Sequence, residues 1–194
     1  MPEPANSKLE ITRLLKLWAA GDESALERAT SLLYSELRLI AGSYFRSERQ
    51  NHTLQPTALI NEAYARLLHL DSLSFESRNQ FLALVARIMR QILVDHARHI
   101  NAAKRGGGAP KVELKDSISS ERGSADQFLI LNDAMERLAI LNPRHAQVIE
   151  LRYFAGLGVV ETAQIVGSSA PTVSRDQRIA EAWLKRELAS QHDA

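Results

Sequence analysis

An all-α fold, two small helical domains joined by a flexible linker, is predicted by three features of the 194-residue sequence. Apolar residues recur at spacings of three and four through nearly every patterned stretch, which is the mark of amphipathic helices. Nine Gly and six Pro in the whole chain leave little turn chemistry for a sheet-rich fold. One stretch, residues 106–125, carries Gly, Ser and charge without any period. The predicted division is therefore 1–105, a linker at 106–125, and 126–194 with a helix-turn-helix inside it.

Leu14, Leu15 and Trp18 mark a short first helix that ends at Gly21. From Ser24 to Tyr44, the residues Leu26, Ala29, Leu33, Leu37, Ile40 and Tyr44 form one helical stripe. The polar run from Ser47 to Thr53 reads as a loop. Pro56 then suits the first turn of a helix whose stripe is Leu59, Ala63, Leu67 and Leu70. After a loop at 71–79, a long helix starts near Arg78 with Phe81, Leu84, Val85, Ile88, Ile92 and Val94 as its buried side. Past Asp95 the pattern turns to His96, Arg98, His99, Asn101, Lys104 and Arg105, so this half is predicted to lie uncovered. Gly106-Gly107-Gly108-Ala109-Pro110 ends it. Beyond the linker, Phe128, Leu131, Met135 and Leu138 define one helix. Asn142 and Pro143 are the N-cap and first-turn proline of the next, which carries Ala146, Ile149 and Phe154. Helices at Val159 to Val166 and about Pro171 to Leu188 complete the pattern.

Lys plus Arg total 24 against 23 Asp plus Glu, a net charge of +1 that excludes a polybasic surface but not a local basic face. Zero cysteines exclude disulfide staples, thiolate zinc sites and thiol nucleophiles. The opening Met1-Pro2-Glu3-Pro4 is acidic and unlike a secretory leader, and the apolar runs are short. A cytoplasmic protein without membrane insertion is expected. His96 and His99 are three apart on a helix but have no third ligand nearby in sequence, so no metal is expected. The Gly106 to Gly108 run lacks the strand and the following Ser or Thr of a phosphate loop. Glu62 and Asp95 fall on different helices, so a catalytic carboxylate pair is not expected either.

Residues Glu161 to Val173 have the layout of a helix-turn-helix. Ala163 is small where the second helix crosses, Gly167 supplies the left-handed turn, and Val173 anchors the second helix. Gly158 precedes Glu161 at the N-cap, where Ser or Thr would cap more strongly. With Val173, Ala180, Leu184 and Leu188 facing inward, Thr172, Ser174, Arg175 and Arg178 are left on the outer side near the helix start. Recognition helices reach base edges and phosphates from such positions. Asp176 is placed among them as an acceptor for cytosine N4. A helical hairpin with a solvated charged face is the alternative reading.

A second candidate surface is the long helix, with Arg87, Arg90, Gln91, His96, Arg98, Asn101, Lys104 and Arg105. Between Arg87 and Lys111 there are cations at 87, 90, 98, 104, 105 and 111 and one acid, Asp95, giving a local charge of +5. A row of donors in place of alternating charge points to nucleic acid.

These residues resemble a known family, the extracytoplasmic-function (ECF) sigma factors of bacterial RNA polymerase. Arg87-Ile88-Met89-Arg90-Gln91-Ile92-Leu93-Val94-Asp95-His96-Ala97-Arg98 is similar to the long helix of the family's region two. Leu54-Gln55-Pro56-Thr57-Ala58-Leu59-Ile60-Asn61-Glu62-Ala63-Tyr64-Ala65-Arg66-Leu67 resembles the helix before it, which docks on the polymerase clamp helices. Pro143 to Leu188, with Leu151-Arg152-Tyr153-Phe154, is similar to region four. Two departures stand out. Gln91 occupies a place where the family often has Asn, and Ser174-Arg175-Asp176-Gln177-Arg178 differs from the commoner Lys-Ser-Arg-Leu-His-Arg run.

The resemblance implies a non-catalytic specificity subunit, without a cofactor, that binds polymerase core and directs promoter recognition and transcription initiation. Residues 1–105 would dock the clamp helices through Asn61, Glu62 and Arg66 and present the basic helix to the minus-ten element. Taking a base out of the stack needs a pocket, which the 71–79 loop would form with Phe75 either as an apolar wall or as ordinary packing. Residues 126–194 would read the minus-thirty-five element with Thr172, Ser174, Arg175 and Arg178 and touch the polymerase flap. Polymerase core and promoter DNA are the implied partners, and control by an anti-sigma factor stays open. A linker of about 20 residues at ~3.3 Å each reaches ~66 Å, which matches elements ~50–70 Å apart on the duplex. Two rivals stand beside this reading. A stand-alone DNA-binding regulator leaves the basic helix and the docking motif without a task, and a helical adaptor would never touch DNA.

Overall fold

The computed structural model describes residues 4–44, 55–70, 75, 77–103 and 116–190. Its helices are α1 (Pro4–Ala19), α2 (Glu23–Tyr44), α3 (Pro56–Leu68), α4 (Arg78–Ala103), α5 (Asp116–Leu141), α6 (Pro143–Ile149), α7 (Val159–Val166) and α8 (Ala170–Ser190), with a π turn at Glu150–Phe154 between α6 and α7. Among the described residues there is no strand, and the fold is all-α as the periodicity predicts.

Local chemistry sets the helix ends. Gly21 takes φ 102°, a left-handed value suited to glycine, where the chain leaves α1. Asp22 then accepts from the Ser24 hydroxyl (2.6 Å) and from the Ser24 N–H (3.1 Å) at the start of α2. The Ser24 hydroxyl is the main cause that holds the Asp22 carboxyl below its ordinary range. Asn142 accepts from the His145 N–H at 3.1 Å, with Pro143 as the first residue of α6. Between α6 and α7 the Ala155 N–H bonds to the Glu150 carbonyl at 3.0 Å, the i to i+5 bond of a π turn.

Helices α1 to α4 form a first block and α5 to α8 a second. In the first, α1 packs on α2, α2 on α3 and α3 on α4. Leu15, Leu26, Leu33, Leu59, Phe81, Val85 and Met89 are buried in its centre. Phe75 is buried too, stacked on Trp18 (5.6 Å between centroids, 14° between planes) and edge-on to Phe81 (5.6 Å, 76°). Its ring is therefore packing, and residues 71–74 and 76 of the expected base pocket lie outside the described residues.

Two expectations change. Ten residues of the expected linker, 116–125, are the start of α5. They carry no apolar period, so helical continuation from the patterned half beyond Phe128 left no trace in the sequence. Residues 104–115 lie outside the described residues. Secondly, the half of α4 past Asp95 is covered. Helix α5 runs antiparallel to α4, Val94 and Ala97 are buried, and Asn101 donates to Asp126 at 2.9 Å. The stripe Ala86, Arg90, Val94, Ala97 and Asn101 faces the second block, and its charged and polar members disguised it as a solvent face. As a result one buried cluster runs from Ile11 through to Leu184, beside a small one of Val148, Ala163 and Val173.

Tyr44 stands where the blocks meet. Its hydroxyl donates to the Ala86 carbonyl at 2.7 Å, and its ring stacks on Phe154 (5.5 Å, 24°) and meets the Phe128 edge (6.3 Å, 66°). Burial pushes the phenol pKa well above 10, with the Glu150 carboxylate adding and Arg90 opposing. The folded chain thus keeps the phenol protonated to higher pH than the unfolded chain does. The stability this supplies is full below the unfolded value of 10.0 and is lost as pH climbs toward the folded value. Tyr44→Phe, with no proton to release, is expected to lose about 1 kcal/mol at neutral pH and to show a shallower loss of stability above pH 10. Urea titrations at stepped pH read both; an unchanged alkaline slope would place the hydroxyl in water.

Candidate nucleic-acid interface

Helix α4 sorts the expected DNA-binding residues onto two faces. Arg87, Gln91 and Arg98, with Asp95 between them, are exposed on one side, as their four- and three-residue spacing requires. Gln91 donates to Asp95 at 3.2 Å. His96 is partly buried. Lys104 and Arg105 lie outside the described residues. The other face takes Arg90 and Asn101 away from solvent. Arg90, expected outward, has a side chain only 16% exposed and donates to Glu150 (3.1 Å) and Asn132 (2.5 Å), with its guanidinium 5.9 Å from the centre of the Phe154 ring. One position along a helix turns a side chain by about 100°, which is what separates Arg90 from Gln91.

The α3 face expected to dock polymerase adjoins the exposed side of α4. Asn61 and Glu62 are exposed, and Arg66 pairs with Glu62 at 3.4 Å and with Asp95 at 2.9 Å. Asp95 therefore ties the two surfaces together and is no general acid.

In the second block, α7 begins at Gly158, whose N–H donates to Glu161 at 2.9 Å, the one arm of a capping box that a glycine allows. Gly167 ends α7 at φ 63° and ψ 44°. Ser169 accepts from the Thr172 N–H at 3.3 Å and starts α8. Ala163 and Val173 are buried where the helices cross, against Val148 of α6. Thr172 and Ser174 are partly exposed, the Arg175 side chain is 67% exposed, and Arg178 is exposed. All four share the outer side of the first turns of α8.

Asp176 does not join them. It is buried, three residues after Val173 and four before Ala180, and forms an ion pair with Arg144 at 2.8 Å that is off the angle of a good hydrogen bond. Arg144 also donates to Ser168 at 2.5 Å, so one side chain of α6 holds both the turn and α8. The inward spacing of Asp176 was readable; nothing in the sequence marks Arg144 as its partner. Arg152 likewise went unnoticed. It donates to Gln177 at 2.9 Å and to the Leu157 carbonyl, fixing the loop before α7 to α8.

Among the described residues no group of three or more His, Cys, Asp or Glu is arranged to hold a metal ion, and no helix is long and apolar enough to cross a membrane. No curated protein matched the chain. The family model described as ECF sigma factor matches residues 8–190. That span takes in the docking face of α3, the basic α4 and the α7–α8 pair together, and it shows that the chain belongs to the ECF sigma factor family, the non-catalytic polymerase subunits that direct transcription initiation from promoters.

Proposed function

We propose that the first block, residues 1–105, docks the clamp helices of polymerase core through Asn61, Glu62 and Arg66 and reads the minus-ten element with the exposed face of α4. The second block reads the minus-thirty-five element with Thr172, Ser174, Arg175 and Arg178 and touches the flap. The observation that carries this assignment is the outer face of α8. Two arginines stand at its start, one 67% exposed, beside a turn whose backbone is fixed by Gly167 and Arg144. Such a helix start enters the major groove, and Arg forks onto guanine there.

The span between the elements is supplied differently from the simple linker. Residues 104–115 between α4 and α5 reach at most ~40 Å at ~3.3 Å each. Helix α5, with 26 residues, adds ~39 Å at ~1.5 Å per residue, and the sum covers ~50–70 Å of duplex. The helix is a spacer as much as a packing element. A cytoplasmic place of action follows from the template, and an anti-sigma factor would compete for the same docking faces.

Run-off transcription with core enzyme on promoters randomised separately in the two elements tests the assignment. Arg87→Ala with Arg98→Ala is expected to relax selection in the downstream element alone, by about 1–3 kcal/mol per lost contact. Relaxation upstream instead, or no sequence selection by the unmodified protein at all, would overturn it.

A further inference from the structure

Arg90 and Asn101 are the two members of the expected α4 DNA-binding set that solvent does not reach freely, and the partners of both lie in the second block. Arg90 is held by Glu150 and Asn132, over the Phe154 ring, and Asn101 by Asp126. Arg90 and Glu150 are 16% and 15% exposed, so this is an interior pair that joins the blocks. Tyr44 of α2 adds a ring contact to Phe154 and another to Phe128.

The same contacts fix a short distance. Helix α4 touches α7 directly. With ~10 Å between packed helix axes and ~12 Å for the length of α7, the start of α8 lies roughly 30 Å from α4. Promoter elements one and a half to two turns apart need ~50–70 Å. The arrangement described above cannot serve both elements at once.

We propose that this arrangement is a closed, self-inhibited form of the free chain. The α4–α5 and α4–π-turn seam occupies Arg90 and Asn101, and on engagement with polymerase the blocks part and the two side chains exchange Glu150, Asn132 and Asp126 for DNA. The proposal rests on the assignment of α4 to the downstream element. Its chemistry is balanced at the seam: Arg90 leaves one anion for another, and Glu150 and Asp126 become surface carboxylates in water. Acidic groups that mimic phosphate for α4 in the closed form also reduce capture by random duplex.

The absence of native cysteine makes the test clean. In Asn101→Cys/Asp126→Cys the two thiols replace groups already in contact, and oxidation should link the blocks. A second variant, Ser31→Cys/Ser190→Cys, carries a donor and an acceptor dye on exposed sites of α2 and α8. The expected results are at least a tenfold loss of run-off transcription in the oxidised form, restored in the same sample by dithiothreitol, and a fall in energy transfer when core polymerase is added to the dye-labelled chain. Equal activity of oxidised and reduced forms, unchanged transfer on core binding, or failure of the disulfide to form would each overturn the closed form while the unmodified protein still selects both elements. Loss of downstream selection by the unmodified protein marks failure of the assignment itself, and the closed form falls with it.

Discussion

Reversing both exposed arginines of α8, Arg175→Glu with Arg178→Glu, is expected to lower transcription from a promoter with its upstream element by about 100-fold. Neither side chain is fixed inside the fold. Arg175 lies 4.0 Å from Asp176, already paired elsewhere, and Arg178 makes one long contact of 3.4 Å to the Ser174 carbonyl. Each lost DNA contact is worth about 1–3 kcal/mol, and 1.4 kcal/mol is tenfold, so two contacts give about 30-fold or more. The salt dependence of promoter binding should become shallower by about one unit per lost phosphate contact. Binding to core enzyme should be unchanged and stability altered by no more than ~0.5 kcal/mol, since both sites are on the surface. Quantitative run-off assays on promoters with and without the upstream element separate these effects. Transcription within threefold of the unmodified protein on both templates would remove α8 from promoter reading.

Phe81→Ala should have the largest effect on folding. Its ring is fully buried and meets Trp18 (6.3 Å, 87°) and Phe75 (5.6 Å, 76°) edge-on, so truncation removes both contacts and leaves a cavity between α1 and α4. Phe to Ala changes in cores cost about 3–5 kcal/mol, against a total of about 5–15 kcal/mol for an ordinary domain. With a denaturant slope of about 2 kcal/mol/M, the urea midpoint should fall by about 2 M. Because the buried cluster is continuous between the blocks, tryptophan fluorescence and helical circular dichroism should move together. A shift below about 1 kcal/mol would mean that the aromatic triad is not the packing centre of the first block.

Helix positions were legible because the three-and-four spacing of residues such as Leu26, Leu33, Leu37 and Ile40 has one structural reading, and the caps at Asn142 and Gly167 carry their geometry in the residue type. The exposed members of the interface, Arg87, Gln91, Arg175 and Arg178, were legible for the same reason. What spacing leaves out is the identity of the covering surface. Arg90 reads as a solvent cation because Glu150, which neutralises it, lies 60 residues away in the chain. The second half of α4 looked bare because small and polar residues, Ala97 and Asn101, line its contact with α5. Asp176 followed the inward stripe of α8 but was read by its charge, which Arg144 compensates from another helix.

The π turn at Glu150–Phe154 has a consequence for how this chain tolerates changes of length. It closes with one more residue in its hydrogen-bonded ring than an α turn does. Deleting a single residue within it would let the segment relax into ordinary α-helix, and everything after the deletion would swing by about 100° around the axis. Glu150, ahead of the change, would keep its place against Arg90, while Phe154 would leave Tyr44 and the loop to α7 would start on the wrong side. One surplus residue thus sets the phase between the two ends of the second block, and this is the place in the chain where an insertion or deletion would be felt furthest from its site.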